Sequence, residues 1–186
     1  MGRTWHSQPG GLYLSIVLRL APHPLLSLAL GLAAIQTIED TTGVDADLRW
    51  PNDVLIGEKK CAGVLAQAEG DVVIAGIGIN VHQQSFPDGL ATPATSLALS
   101  TTRLIPPLEQ IAASLRDNVC RWAEQLSQAS FLREEFLRKS SYAFGKRVSV
   151  DGLVGVTQGI TDQGFLLLRD DAGTLHTLTA GGVRPA

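Results

Sequence analysis

Apolar and polar positions change period several times along this chain. Residues 11–19 are rich in aromatic and β-branched side chains and follow Pro9-Gly10-Gly11, which predicts a buried strand. Pro24 suits a first helical turn, and the apolar periodicity of residues 25–41 predicts a long helix stopped by Gly43. Residues 47–50 read as a short strand ended by Pro51-Asn52-Asp53. Residues 54–56 and 61–68, on either side of Gly57-Glu58, read as a hairpin. Glu69-Gly70-Asp71 then turns into a strand over 72–81, and residues 82–94 have loop chemistry without periodicity. After Pro106-Pro107, residues 108–126 carry Ile111, Leu115, Val119, Trp122 and Leu126 at helical spacing, and a second helix covers about 131–140. From Lys146 the period shortens to small strands with turns at Asp151-Gly152, Asp162-Gln163-Gly164 and Asp171-Ala172-Gly173, which predicts a small barrel. The expectation is an α+β chain: a mixed sheet with flanking helices over residues 1–143, then a small C-terminal β-barrel over 144–186.

Composition narrows the class. The 186 residues are 45% hydrophobic, enough for a real core. Fifteen Lys+Arg against 18 Asp+Glu give −3, and no segment forms a basic stripe, so nucleic acid is not an expected partner. No apolar run is long enough to span a bilayer, and no signal peptide is recognisable, which excludes a membrane partner from the expectation. Cys61 and Cys120 make neither a disulfide framework nor a metal spacing, and the four histidines have no ligand spacing. Together these predict a soluble cytoplasmic protein with no metal-ligating residues.

Two places could carry chemistry. Arg49-Trp50-Pro51-Asn52-Asp53 is followed by Lys60-Cys61-Ala62-Gly63. The plain reading is a turn and a solvated hairpin lysine. The sharper reading is that the hairpin brings Asp53 and Lys60 to one pocket, the carboxylate holding the ammonium and the ammonium meeting an anionic substrate. Gly76-Ile77-Gly78-Ile79-Asn80 puts two glycines in one strand, either for a bulge or bend or for close approach of a ligand. It is no dinucleotide fingerprint, since no third glycine opens a helix. Cys61 reads as a small core hydrophobe. Trp5, beside Gly2-Arg3, is either a half-buried anchor or an aromatic that covers a flat ring.

Taken in order, these segments resemble the biotin protein ligases. The resemblance rests on Gly2-Arg3-Thr4-Trp5, Gly11-Leu12-Tyr13-Leu14-Ser15, Arg49-Trp50-Pro51-Asn52-Asp53-Val54, Lys60-Cys61-Ala62-Gly63-Val64-Leu65 and Gly76-Ile77-Gly78-Ile79-Asn80, with a C-terminal segment like the family's small barrel. It implies a class II synthetase-like fold and a two-step reaction with ATP, Mg2+ and biotin. Biotin is first adenylated, and biotinyl-AMP is then attacked by a lysine of a biotin carboxyl carrier protein domain. It also implies residue roles. Lys60, Asp53 and Asn52 would be catalytic; Lys60, Gly63, Gly76 and Gly78 would hold biotin; and Arg3, Trp5, Asn52 and Asn80 would hold the nucleotide. The family's arginine- and glycine-rich loop is matched only at its tail by Met1-Gly2-Arg3, so the expectation is an N-terminally shortened ligase without the DNA-binding domain. A homodimer, a non-catalytic relative that binds carrier or biotin, and a lipoate ligase remain alternatives.

Overall fold

The computed structural model describes residues 7–186; Arg3 and Trp5, expected on the nucleotide side, lie outside the described residues. The first sheet is built from β1 (Gly11–Leu18), β2 (Asp47–Arg49), β3 (Asp53–Ile56), β4 (Lys59–Glu69) and β5 (Val72–Asn80), in the order β1-β5-β4-β3-β2. Every paired neighbour is antiparallel, which corrects the expected mixed sheet. The reason is the connections. Parallel neighbours need a crossover of a dozen or more residues, whereas β3–β4 and β4–β5 are joined by tight turns. Gly57 (φ 59°) and Gly70 (φ 61°) supply the left-handed residue that each turn needs. The one parallel contact is an isolated bridge between Lys60 and Ala94.

Helix α1 (Leu26–Thr42) follows β1 and ends at Gly43, within a residue of the expected bounds. It is buried on almost every side because the sheet lies against one face and α3 (Leu108–Glu124) and α4 (Ala129–Arg138) cover the rest. Gly31 lets this packing close: a Cβ there would stand 2.6 Å from Leu48 Cδ1. Asn118 of α3 is buried and donates from Nδ2 to Thr37 Oγ1 at 3.1 Å, so its amide is satisfied inside the helix pair. α3 buries Ile111, Leu115 and Val119 as expected, while Trp122 is only half-buried and stacks on Phe131. A short helix, α2 (Leu97–Ser100), lies where no helix was expected; Ser96 caps it by accepting from Leu99 N.

The second sheet holds β6 (Phe144–Val150), β7 (Leu153–Ile160), β8 (Leu166–Asp170), β9 (Leu175–Leu178) and β10 (Val183–Pro185), in the order β10-β6-β7-β8-β9. Register shifts after Phe144 and Thr157 interrupt its ladders. Among the described residues no ladder joins β9 to β10, so the expected barrel is barrel-like but open. Edge strands of four and three residues are too short to close it.

One hydrophobic cluster runs through both sheets, from Leu30 and Ile77 to Leu168 and Val183. Trp50, 3% exposed, donates from Nε1 to Gly164 O at 2.9 Å and so ties the turn after β2 to the second sheet. Leu48 N donates to Lys139 O at 2.7 Å, and Asp47 accepts from Ser141 N at 2.8 Å. These bonds hold the β2–β3 segment from the side of the second sheet.

Candidate active site

Strand pleating sorts the first sheet into two faces. Leu12, Leu14, Val73, Ala75, Ile77, Ile79, Ala62 and Val64 point to the core with α1. The alternate positions form the outer face. There one cross-strand row runs Tyr13–Gly78–Gly63–Asp53, and the next runs Ser15–Gly76–Leu65. Of the three glycines in these rows, Gly63 and Gly78 are buried and Gly76 is half-buried, so the face dips in a shallow trough at Gly76, with the exposed Tyr13, Val17, Leu65 and Ile74 around it. At the end of the first row stands Asp53.

The glycines are not there for backbone strain. None of Gly63, Gly76 and Gly78 has positive φ, and the β1–β5 and β4–β5 ladders run without a register shift, so the bulge reading is not what the structure shows. Nor is Gly76 crowded: a Cβ there would make only ordinary contacts, 3.8 Å to Leu65 O and 3.9 Å to Leu65 Cβ. A side chain at this position would therefore meet no clash among the described residues. Gly11 is different, because the Tyr13 phenol lies over it, 2.4 Å from where its Cβ would be. Tyr13 Oη donates to Gln8 O at 3.0 Å and accepts from Gln83 Nε2 at 3.3 Å, which fixes the ring.

Hairpin β3–β4 brings Asp53 and Lys60 together. A register shift between Val54 and Leu55 sets Lys60 opposite Leu55 while Asp53 stays opposite Gly63. One Asp53 oxygen meets the Lys60 ammonium, and the other accepts from Arg49 Nη2 at 2.7 Å. The Arg49 side chain is 4% exposed, Asp53 21% and Lys60 33%, so the ammonium is the member that faces solvent. Burial pushes the Asp53 carboxyl up, but the Lys60 ammonium and the Arg49 guanidinium outweigh it and hold the group below its ordinary 3.8. At neutral pH the cluster is one carboxylate between two cations, with one positive charge in excess.

The backbone of Lys60 is fixed as well. Its N donates to Pro93 O at 2.7 Å and its O accepts from Thr95 N at 2.9 Å. Asn80 Nδ2 donates to Thr95 O at 2.9 Å and to Lys60 O at 3.4 Å, so it clamps the same segment. Asn52 Nδ2 donates to Val64 O at 2.9 Å, and Val64 N returns a bond to Asn52 O. Both amides thus brace β4, and neither donates to Asp53 or Lys60 side chains. The Cys61 thiol is fully buried, which raises its pKa to about 12, and it behaves as the expected core residue.

Arg49 was quoted in the sequence only as part of a motif, yet it holds half of Asp53 and donates to Thr92 Oγ1 at 2.7 Å. Its signal is an arginine four residues before an aspartate in an otherwise apolar segment. Tyr142 and Glu58 gave no signal. Tyr142 is 1% exposed, its ring lies between Arg49 (5.8 Å) and Lys146 (5.1 Å), and its hydroxyl donates to Glu58. Burial and then the Glu58 carboxylate raise the phenol pKa to about 12. Among the described residues no three metal-ligating side chains cluster, and Asp53 has both oxygens committed to cations. Asp53 therefore does not fit a magnesium ligand.

Residues 1–84 match the Biotin/lipoate A/B protein ligase family, and residues 143–183 match the Biotin protein ligase C terminal domain. The chain is 39% identical over 191 residues to a bifunctional ligase/repressor BirA of Bacillus spizizenii, covering 93% of this chain and 58% of that protein. It is 32% identical to a biotin–[acetyl-CoA-carboxylase] ligase of Mycobacterium tuberculosis, covering 98% of this chain and 72% of the relative. The structure of biotin protein ligase from Aquifex aeolicus in complex with biotin and ATP is similar with a TM-score of 0.86 and 30% identity, covering 100% of this chain and 83% of that one. The chain thus spans little more than half the length of the Bacillus relative, but nearly all of it aligns. With two thirds of the Mycobacterium ligase covered at that identity, and both sheets superposed on the Aquifex enzyme, this chain belongs to the biotin protein ligase family.

Proposed function

We propose that this chain is a biotin–protein ligase that forms biotinyl-AMP from biotin and ATP and transfers biotin to a lysine of a biotin carboxyl carrier protein domain. The observation that carries the proposal is the Arg49–Asp53–Lys60 cluster at the end of the cross-strand row Tyr13–Gly78–Gly63–Asp53, beside the shallow trough at Gly76. The trough suits a flat, largely apolar ring system lying on backbone, and the cluster supplies a cation for that molecule's carboxylate. In the first step a carboxylate oxygen forms a bond to the α-phosphorus of ATP. The bond from that phosphorus to the bridging oxygen breaks, and pyrophosphate leaves with the electron pair. In the second step the carrier's amine attacks the mixed anhydride, and AMP leaves.

Lys60 is the proposed catalytic cation, touching the biotin carboxylate and α-phosphate oxygens while charge builds there. Asp53 is a positioning residue, because it aims the ammonium, and Arg49 keeps Asp53 ionised and in place. Gly63, Gly76 and Gly78 form the biotin floor. Asn52 and Asn80 brace β4 and residue 95 through Nδ2, and their contact with the nucleotide is assigned on the resemblance. Arg3 and Trp5 are assigned to the nucleotide on the resemblance alone. Magnesium, carried by the nucleotide, would neutralise phosphate charge; no step is assigned to it. Residues 1–143 form the proposed catalytic unit and 144–186 the β unit that backs it. No helix among the described residues is long and apolar enough to cross a membrane, and the proposed setting is the cytoplasm, where ATP and carrier are present.

The test is transfer of biotin to a purified carrier domain by the parent, Lys60→Ala and Lys60→Arg, with biotin affinity measured beside it. Loss of roughly a hundred- to a thousandfold in rate is expected for Lys60→Ala, the scale for removing one oxyanion donor. Partial recovery is expected for Lys60→Arg. Equal rates for all three chains would refute the assignment.

A further inference from the structure

Tyr142 lies in the short link between α4 and β6, and its backbone neighbours are held on both sides. Ser141 N donates to Asp47 at 2.8 Å, and Ala143 O accepts from Gly159 N at 2.8 Å. From this fixed point the side chain reaches the β2–β4 segment twice. Its hydroxyl donates to Glu58, in the turn between the strand of Asp53 and the strand of Lys60. Its ring centre lies 5.8 Å from Arg49 Cζ, at the end of β2. Core filling accounts for neither contact. Phenylalanine or leucine would fill the space without burying a hydroxyl, and an ordinary core side chain has no cations such as Arg49 and Lys146 against it. Arg49 has the complementary need. Its side chain is 4% exposed, yet Nε finds no hydrogen-bond partner, while Nη2 serves both Asp53 and Thr92. A guanidinium so far removed from water needs compensation beyond those two bonds, and the π-face of Tyr142 supplies it.

We infer that Tyr142 is a positioning residue for the adenylation step: on the ligase reading above, its ring, tethered by Glu58, seats Arg49, which fixes Asp53, which aims the Lys60 ammonium. Tyr142 touches no substrate in this scheme and acts through three side chains in series. The series is short and stiff. Arg49 and Asp53 are joined at 2.7 Å, and the second Asp53 oxygen meets Lys60 directly. With the ring removed, Arg49 loses its backing, Asp53 loses the cation that locks one of its oxygens, and the ammonium is no longer held to one direction. A displacement of that kind is costly where a charge must meet charge developing on oxygen.

The experiment compares the parent, Tyr142→Phe, Tyr142→Leu, Asp53→Asn and the Tyr142→Leu/Asp53→Asn pair in biotin-dependent exchange of labelled pyrophosphate into ATP. The Asp53 carboxyl is titrated by carbon-13 NMR in the chains that keep it. Thermal midpoints check folding, and Tyr142→Met, which fills more of the space but has no aromatic face, replaces Tyr142→Leu if that chain does not fold. Tyr142→Leu should slow exchange by about ten- to thirtyfold, the equivalent of one desolvated cation–π contact, and Tyr142→Phe, which keeps the ring, by no more than about threefold. In the Asp53→Asn chain the leucine should add less than about twofold, because the route to Lys60 is already cut. The Asp53 pKa, held low in the parent, should rise toward its ordinary value in Tyr142→Leu and stay in Tyr142→Phe, since only the former frees Arg49. Equal losses in the phenylalanine and leucine chains overturn the inference. So does a leucine effect as large in the Asp53→Asn chain as in the parent. A parent without exchange whose Asp53 titration still answers to Tyr142→Leu would remove the ligase reading and keep Tyr142 as the seat of Arg49. Active exchange with an unmoved Asp53 titration in every chain would uphold the ligase and overturn the role of Tyr142.

Discussion

Replacing Asp53 by Asn keeps its shape and removes the one negative charge between Arg49 and Lys60. A buried charge stripped of its partner costs about 3–5 kcal/mol. Here the loss is smaller, because Lys60 is one-third exposed and can turn to water, and Arg49 keeps its bond to Thr92. The net cost falls at about 2–3 kcal/mol, which for a chain of this size lowers Tm by roughly 4–12 °C. The pH dependence gives a second handle. The native Asp53 pKa lies below the ordinary value of 3.8, so its stabilisation is full above the unfolded value and is lost as pH falls through the native one. The gap between parent and Asp53→Asn should therefore be constant from neutral pH down to about pH 5 and close below about pH 4. Urea unfolding followed by circular dichroism across that range measures it. Equal stability at neutral pH, or a gap that persists undiminished at the acid end, would refute the electrostatic account of the cluster.

Gly76→Val places side-chain atoms in the trough where a Cβ meets nothing closer than 3.8 Å, so folding stability should hold or rise by about 0.5–1 kcal/mol. Biotin affinity, by titration calorimetry, should fall by about tenfold or more, the equivalent of about 1.4 kcal/mol; retained affinity would empty the trough of its assigned ligand. Trp50→Phe removes the bond to Gly164 O and should cost about 1–2 kcal/mol in a thermal or urea melt, with a change below experimental error counting against Trp50 as a tie between the sheets. Of the two thiols, exposed Cys120 should react rapidly with a disulfide reagent at neutral pH, while Cys61, buried and raised to about 12, should react only as fast as the protein opens. Two fast thiols in the native chain would contradict that placement.

Periodicity carried the elements well where burial is one-sided. α1 ends within a residue of its expectation because Gly43 caps it, and β4–β5 follow from the glycine turns. The antiparallel order of the first sheet was not legible, since the pattern shows which residues are buried but not which strand neighbours which. The small barrel-like unit was legible in its short strands and glycine turns, but its open edge was not, because the number of short strands does not give the length of edge that they share. At the site, Asp53 and Lys60 could be paired on paper because one hairpin joins them. The braces could not. Asn52 and Asn80 bond to backbone carbonyls, and Tyr142 reaches Arg49 from 93 positions away, contacts that leave no periodic or motif signal. Arg49 itself was visible but read as flanking sequence, because burial of a charge shows only once its partner is in place.

Biotin-dependent incorporation of labelled pyrophosphate into ATP by the purified chain, with Lys60→Ala beside it, tests the central claim most directly. Exchange in the parent that falls by roughly a hundred- to a thousandfold in the variant is the expected result. Exchange of equal rate in both chains, or none from a folded parent that is saturated with biotin and ATP, would contradict it.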